Sequence, residues 1–285
     1  KLSELIYWFK TPQKYWLNKK NISPKEPFIH HPEEVYLTNY QKSKLITKVI
    51  QEFEIDNINI IDDLKNLNIK DQLVENGIFT PKNSIFTKEK EIRELVRTLY
   101  ANLSRHKKIN RIYVKSKSNK EEYFISDNVV VELIHAKLNL SRLAEAWIKL
   151  LFISKFRKNI KHTHVIFREE NEYKSHILQS PGAIESNLIL EEYINLFKNY
   201  SEKCLPLPPE STYKYVEAKI KLKNEKKVFS DRWIGNKTFS KGERDNIEMK
   251  LCFGNKKEPD FFLGNNNFDK LSFRLYGPLI EALKK

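Results

Sequence analysis

The chain has 285 residues, 51 Lys and Arg against 37 Asp and Glu, a formal net charge of +14 and 40% hydrophobic residues. That length and apolar content are enough for a sizeable core in one large domain or two small ones, which excludes a disordered tail or a purely fibrous chain. No apolar run approaches the roughly 20 residues of a membrane span, the opening Lys1-Leu-Ser-Glu-Leu5 has no signal-peptide pattern, and the missing initiator methionine suggests a fragment of a longer chain.

In chain order, Leu2 to Leu17 places large apolar residues at helical spacing on either side of Pro12. This predicts a helix, a break at Thr11-Pro12 and a second short helix, with Trp8, Phe9, Tyr15 and Trp16 read as core rather than as a base-stacking platform. After a loop holding Pro24, Pro27 and Pro32, the periodicity of Val35, Leu37, Leu45, Ile46, Val49, Ile50 and Phe53 predicts an amphipathic helix over Glu33 to Glu54. Asn57 to Lys88 mixes short apolar runs with turn signals, and a helix is expected from about Lys88 to Ser104.

The order then becomes informative. Ile109 to Lys117 alternates as a strand, with Ile109, Arg111, Tyr113 and Lys115 on one face and Ile112 and Val114 on the other. Glu121 to Ile125 and Val129 to Ile134 read as two further strands joined through Ser126-Asp127-Asn128, a turn-forming set. A helix carrying Leu140, Leu143, Ala144, Trp147, Leu150 and Leu151 follows, and Lys161 to Arg168 returns as a strand. The sum is an α/β unit with a mixed sheet in the order αβββαβ. Beyond Pro181-Gly182 the chain reads as mainly helical, with helices over Ile184 to Glu202 and Thr212 to Lys223, then short helices on each side of Gly277-Pro278. The expected division is an N-terminal helical segment (1–88), the α/β core (89–180) and a helical C-terminal region (181–285), or all three as one domain.

The αβββαβ order with acids on paired strands is the layout of the PD-(D/E)xK nucleases. There two carboxylates hold a divalent cation, which activates water, and a lysine steadies the developing charge. With a three-residue loop Glu122 lies opposite Glu132; with a two-residue turn the two glutamates fall out of register. Position 134, which shares the face of Glu132, is isoleucine, and Lys137 sits an odd number of residues from Glu132. The catalytic positions Glu122, Glu132 and Ile134 are therefore degenerate, and no intact catalytic residue set or metal site is expected. His162-Thr-His164 puts two imidazoles on one strand face without a third ligand, as ordinary edge-strand histidines would. Ser211 and Ser240 lack a nucleophile-elbow context, and no glycine-rich loop offers an ATP site. Cys204 and Cys252 lie far apart without neighbouring ligand motifs, which fits a reduced compartment rather than a disulfide framework.

The cationic surplus would attract a polyanion, so nucleic acid leads as the partner class. Lysine, asparagine and isoleucine also run high together, as a compositional bias of a whole genome would produce. Lys219, Lys221, Lys223, Lys226 and Lys227 are the candidate DNA contacts, against a solvated helix end. Tyr173, in the turn region Glu169 to Tyr173, is a candidate strand-separating aromatic, since an exposed ring on a hairpin can stack on a terminal base pair.

Leu5-Ile-Tyr-Trp-Phe-Lys-Thr-Pro-Gln-Lys-Tyr-Trp-Leu17, Glu26-Pro-Phe28 before Tyr36, Gly77-Ile-Phe-Thr-Pro81, Leu140 to Leu151 with Trp147, Gly242-Glu-Arg-Asp245 with Met249-Lys-Leu251, and Tyr276-Gly-Pro-Leu279 follow one another in this chain. In their order and spacing they resemble the C-terminal region of the RecC family, the gamma chain of exodeoxyribonuclease V. The resemblance implies a PD-(D/E)xK nuclease-like core that has lost nuclease chemistry, with no cofactor of its own. It also implies RecB-type and RecD-type partner subunits that use Mg2+ and ATP, contacts with DNA ends as duplex and single strands, and a bacterial cytoplasmic setting. An active but diverged nuclease and a pure subunit-interaction module are the competing readings.

Overall fold

The structure is a computed structural model that describes residues 1–23, 41–44, 46–47, 82–106, 108–116, 119–236, 240–255 and 257–284. Helix α1 (Leu2–Lys10) and helix α2 (Pro12–Lys19) meet at Thr11, with Pro12 at the first turn of α2, where a missing N–H costs nothing. Trp8, Phe9 and Tyr15 are buried, as expected of core aromatics. Residues 41–44 and 46–47 are helical, and the rest of the expected Glu33 to Glu54 helix lies outside the described residues. So do Pro24, Glu26-Pro-Phe28, Pro32, Tyr36 and Gly77 to Pro81.

Helix α3 (Lys82–Leu103), strands β1 (Asn110–Ser116), β2 (Asn119–Ser126) and β3 (Val129–Ile134), helix α4 (Leu140–Phe156) and strand β4 (His162–Glu169) follow in the expected order. Asn139 caps α4 by accepting a hydrogen bond from the Arg142 amide at 3.0 Å. Strand β5 (Glu172–Gln179) continues from β4, and the sheet runs β1-β2-β3-β4-β5-β8, with β8 the short terminal strand Leu283–Lys284. Among the described strands only β3 and β4 pair in parallel, joined by α4 as their crossover; the other described pairs are antiparallel. The result is a mixed α/β architecture.

Each face of the sheet is covered by apolar side chains that the alternation dictates. Val114, Tyr123, Ile125, Val130 and Val165 pack beneath α4, whose Trp147, Leu150 and Leu151 are buried. Val131, Ile166 and Tyr173 face α3 through Leu95, Val96 and Leu99. The core beneath α4 is continuous from Leu2 in α1 to Ala282 near the C-terminus, so all three segments of the chain contribute to it.

The C-terminal half holds α5 (Ala183–Tyr200), α6 (Pro209–Ile220), α7 (Glu225–Ile234), a strand pair β6 (Gly235–Asn236) and β7 (Ser240–Lys241), α8 (Ile247–Phe253), α9 (Asp260–Leu263) and α10 (Phe268–Ala282). Two expectations are corrected here. Strand β5 has no counterpart in the sequence reading, and the tail forms one helix with Pro278 inside it rather than two short ones. An internal proline costs about 3 kcal/mol, but α10 buries Leu271, Leu275, Tyr276, Leu279 and Ile280 on both sides of it, and that burial outweighs the lost hydrogen bond.

Gly242 is required by close approach, since a Cβ there would lie 2.3 Å from the Ile234 carbonyl oxygen. It leads into Glu243, a buried carboxylate that accepts the Glu210 amide at 2.9 Å, the Ser211 amide at 2.7 Å and the Ser211 hydroxyl at 2.6 Å. Ser211 thus helps to close the N-terminus of α6.

Burial pushes the Glu243 carboxyl up from 4.5 to about 7, against the pull of the Ser211 hydrogen bonds. A carboxyl that holds its proton more tightly when folded favours the native state below its unfolded pKa, and that contribution is lost as pH rises from 4.5 to about 7. We expect urea unfolding to show a loss on the order of 3 kcal/mol across that window. In Glu243→Gln this part of the slope disappears; a slope of the opposite sign in the wild type would contradict the assignment.

Candidate functional site

The hairpin between β2 and β3 settles the geometry of the acids. Ser126 pairs with Val129, so the turn has only Asp127 and Asn128 between the paired residues, with Asp127 at φ 52°. This register differs from the three-residue loop by one residue, and a one-residue change sends a side chain to the other face. Glu122 and Glu132 therefore lie on opposite faces, the outcome of the two-residue turn rather than of the three-residue loop that would have paired them. Glu122 sits opposite Tyr113 and forms an ion pair with Arg111, Nε to Oε1 2.6 Å, on the face away from α4. Glu132 points beneath α4, on the side of Val130 and Ile134, and Ile134 packs against that core. The shared face of Glu132 and Ile134 matches the alternation in the sequence.

Glu121, rather than Glu122, joins Glu132 on this face, and the charges of both act on the buried Tyr123 hydroxyl between them, whose pKa burial raises first. Burial also raises the Glu121 carboxyl, while Lys149 opposes that shift. A lysine is present after all, supplied from the helix. The Lys149 ammonium donates to Glu132 Oε1 at 2.8 Å and lies 3.3 Å from Glu145 Oε1. Burial would lower Lys149, but Glu132 and Glu145 outweigh it and hold its pKa raised. Glu145 also accepts from Lys10 of α1 at 2.5 Å, and these two cations keep its carboxyl lowered despite burial.

An ammonium seated between two carboxylates satisfies the oxygens that a divalent cation would need. Among the described residues no group of three or more His, Cys, Asp or Glu side chains has the placement to hold a metal ion. Sequence reasoning looked for the lysine on β3 and missed Lys149, which is 17 residues away; its position one turn after Glu145 was the available signal.

The histidines are not on an edge. Strand β4 lies between β3 and β5, and His164 is buried there with its Nδ1 2.8 Å from His106 Nε2. Burial, with His106 and Arg105 nearby, pushes His164 down to about 4, and burial followed by His162 lowers His106. The pair is thus a neutral hydrogen-bonded contact between α3 and the sheet. Tyr173 is also corrected: it is buried in β5, with its hydroxyl 2.8 Å from His135 Nδ1. The exposed aromatic on a hairpin is instead Tyr113 on β1, half exposed at 50%, with the Lys120 ammonium 4.3 Å from its ring centre and Arg111 and Lys115 on the same face.

The five candidate lysines separate into two sets. Lys219 donates to both oxygens of Asp269 at 2.7 Å, and Lys221 is paired with Glu217. Lys223, Lys226 and Lys227 are exposed around the α6–α7 turn and have no ion pair among the described residues. Cys204 and Cys252, distant in sequence, come together as free thiols close enough to act on each other's ionisation. No helix among the described residues is long and apolar enough to cross a membrane.

Residues 1–220 match the family described as the RecC C-terminal domain. The match ends before Gly242 to Asp245 and Tyr276 to Leu279. No curated protein matches the chain.

Replacing Lys149 with Met leaves Glu132 and Glu145 facing an apolar side chain. We expect a loss on the order of 1–3 kcal/mol, below the figure for fully buried pairs because both partners keep some solvent contact. Much of that loss returns in the double variant Lys149→Met/Glu132→Leu. Urea unfolding measures both; strictly additive losses would show that the two side chains do not depend on each other.

Proposed function

The chain belongs to the RecC C-terminal domain family, which serves as a subunit of the RecBCD (exodeoxyribonuclease V) complex in DNA repair, and from that premise we propose a noncatalytic scaffold and DNA-guiding role. The observation that carries this reading is the Lys149 ammonium on Glu132, with Ile134 beside it and Glu122 turned away. A nuclease-like frame whose acid face is closed by its own lysine is suited to holding DNA or a partner subunit rather than to cutting. Hydrolysis, with its Mg2+ and ATP requirements, is then the work of RecB-type and RecD-type chains.

Two surfaces support the DNA part of the proposal. Lys223, Lys226 and Lys227 offer cations without counter-ions among the described residues, which suits phosphate contact without base reading. Tyr113, flanked by Arg111, Lys115 and Lys120, presents an aromatic face of the kind on which an unpaired base stacks, and it replaces Tyr173 as the strand-separating candidate.

A second reading is favoured by one observation of its own. Lys149 stands 2.8 Å from Glu132 on the face that Glu121 shares, so a diverged PD-(D/E)xK nuclease would find its acids and lysine there. Incubation of the purified chain with linear DNA and Mg2+ or Mn2+ separates the two. The guiding role predicts no cleavage, and cleavage abolished by Glu132→Gln would establish the nuclease.

For DNA guiding, fluorescence anisotropy with forked DNA is expected to show affinity that falls steeply with salt. Charge reversal at Lys223, Lys226 and Lys227 should weaken binding at least tenfold and flatten the slope of log affinity against log salt by about one per lost phosphate contact. Binding with no salt dependence, or none at all, would favour a pure interaction module.

A further inference from the structure

A groove remote from any role given above runs between the start of α1, the C-terminal end of α4 and the outer side of α5. It encloses 350 Å³, enough for one or two large apolar side chains. Its floor is apolar, with Leu5, Phe152 and Leu190 buried, while Phe156 and Ile194 stand on its walls 46% and 40% exposed. The apolar surface continues along α5, where Leu188 is 60% and Ile184 83% exposed. Ile184, Leu188 and Glu191 fall at i, i+4 and i+7, so they share one line that leads to the groove. Isolated exposed apolar residues are ordinary, whereas a contiguous strip ending in a cavity marks an interaction surface.

The charge around the groove defines the occupant. Lys1, Lys155 and Lys198 line it against one acid, Glu191, which is engaged by the Asn187 side-chain amide at 2.8 Å. Lys155 and Lys198 belong to the last turns of α4 and α5, and neither has an ion pair among the described residues. By contrast, Lys10, Lys149, Lys174 and Lys219 each carry a carboxylate partner.

We propose that this groove docks a short acidic segment of a partner protein, with one or two large apolar side chains seated between Phe156 and Ile194 and flanking carboxylates on Lys155 and Lys198. The apolar floor fits a side chain and not a phosphate backbone, and unpaired rim ammoniums favour Asp and Glu beside the anchor. The inference stands on the groove alone and does not depend on the DNA-guiding role.

The test is fluorescence anisotropy with a labelled synthetic twelve-residue peptide of alternating Asp/Glu and Leu/Phe, alongside a twin in which every acid is lysine. The acidic peptide is expected to bind and the lysine twin to fail. Phe156→Asp with Ile194→Asp, and separately Lys155→Glu with Lys198→Glu, should each weaken binding at least tenfold. Lys155 and Lys198 are exposed and Phe156 and Ile194 nearly half exposed, and an unchanged unfolding midpoint confirms that the variants remain folded. Absence of binding, equal binding of the lysine twin, or affinity indifferent to both double variants would overturn the proposal. Displacement of the peptide by single-stranded oligo(dT) that the Phe156 and Ile194 substitutions do not affect would likewise overturn it, by making the rim a polyanion site.

Discussion

The ammonium of Lys149 is the point on which three parts of the molecule converge. It reaches from the crossover helix to Glu132 on a central strand, and through Glu145 it meets Lys10 of the first helix. Half-buried charges favour pairing, because an unpaired one loses part of its hydration without compensation. The four side chains therefore fix one another. Without Lys149 the carboxylate of Glu132 has no other cationic partner in hydrogen-bond range among the described residues, and the α1 helix loses part of its polar tie to α4. The same arrangement decides the chemistry. A carboxylate already bound to a fixed ammonium is a poor ligand for a hydrated divalent cation, and on the noncatalytic role proposed above the feature that ties these elements together also closes the acid face.

Local pattern made much of this legible in the sequence. The break at Pro12, the alternation of β1, the helix around Trp147 and the absence of lysine at position 134 follow from side-chain periodicity and the missing N–H of proline. What was illegible depends on register and on distant packing. One residue in the β2–β3 turn decides whether Glu122 or Glu121 accompanies Glu132, and Ser126-Asp127-Asn128 permits either closure as a sequence. Tyr173 looked like a turn residue because four acidic or polar residues precede it, yet it opens a strand buried against α3. Strand β5 itself, Glu-Tyr-Lys-Ser-His-Ile-Leu-Gln, alternates weakly and is specified by its partners β4 and β8. Pro278 stops a helix in isolation and is overridden here by burial on both sides.

The surplus of positive charge acquires a distribution in the fold. Lys219 and Lys221 are answered by Asp269 and Glu217, while Lys223, Lys226 and Lys227 have no counter-ion among the described residues. The cations beside Tyr113 border a sheet edge, and those at Lys155 and Lys198 border an apolar groove. Net charge alone therefore describes at least two kinds of surface, one suited to phosphate and bases and one to an acidic protein segment. Both suit the proposed role within an assembly.

The central claim is that the ammonium of Lys149 occupies the place a metal ion would take. Electron paramagnetic resonance of free Mn2+, titrated with the purified chain, measures that directly. The account predicts that the wild-type chain removes no stoichiometric Mn2+ from solution. Uptake of one equivalent by the wild type, lost in Glu132→Gln, would contradict it.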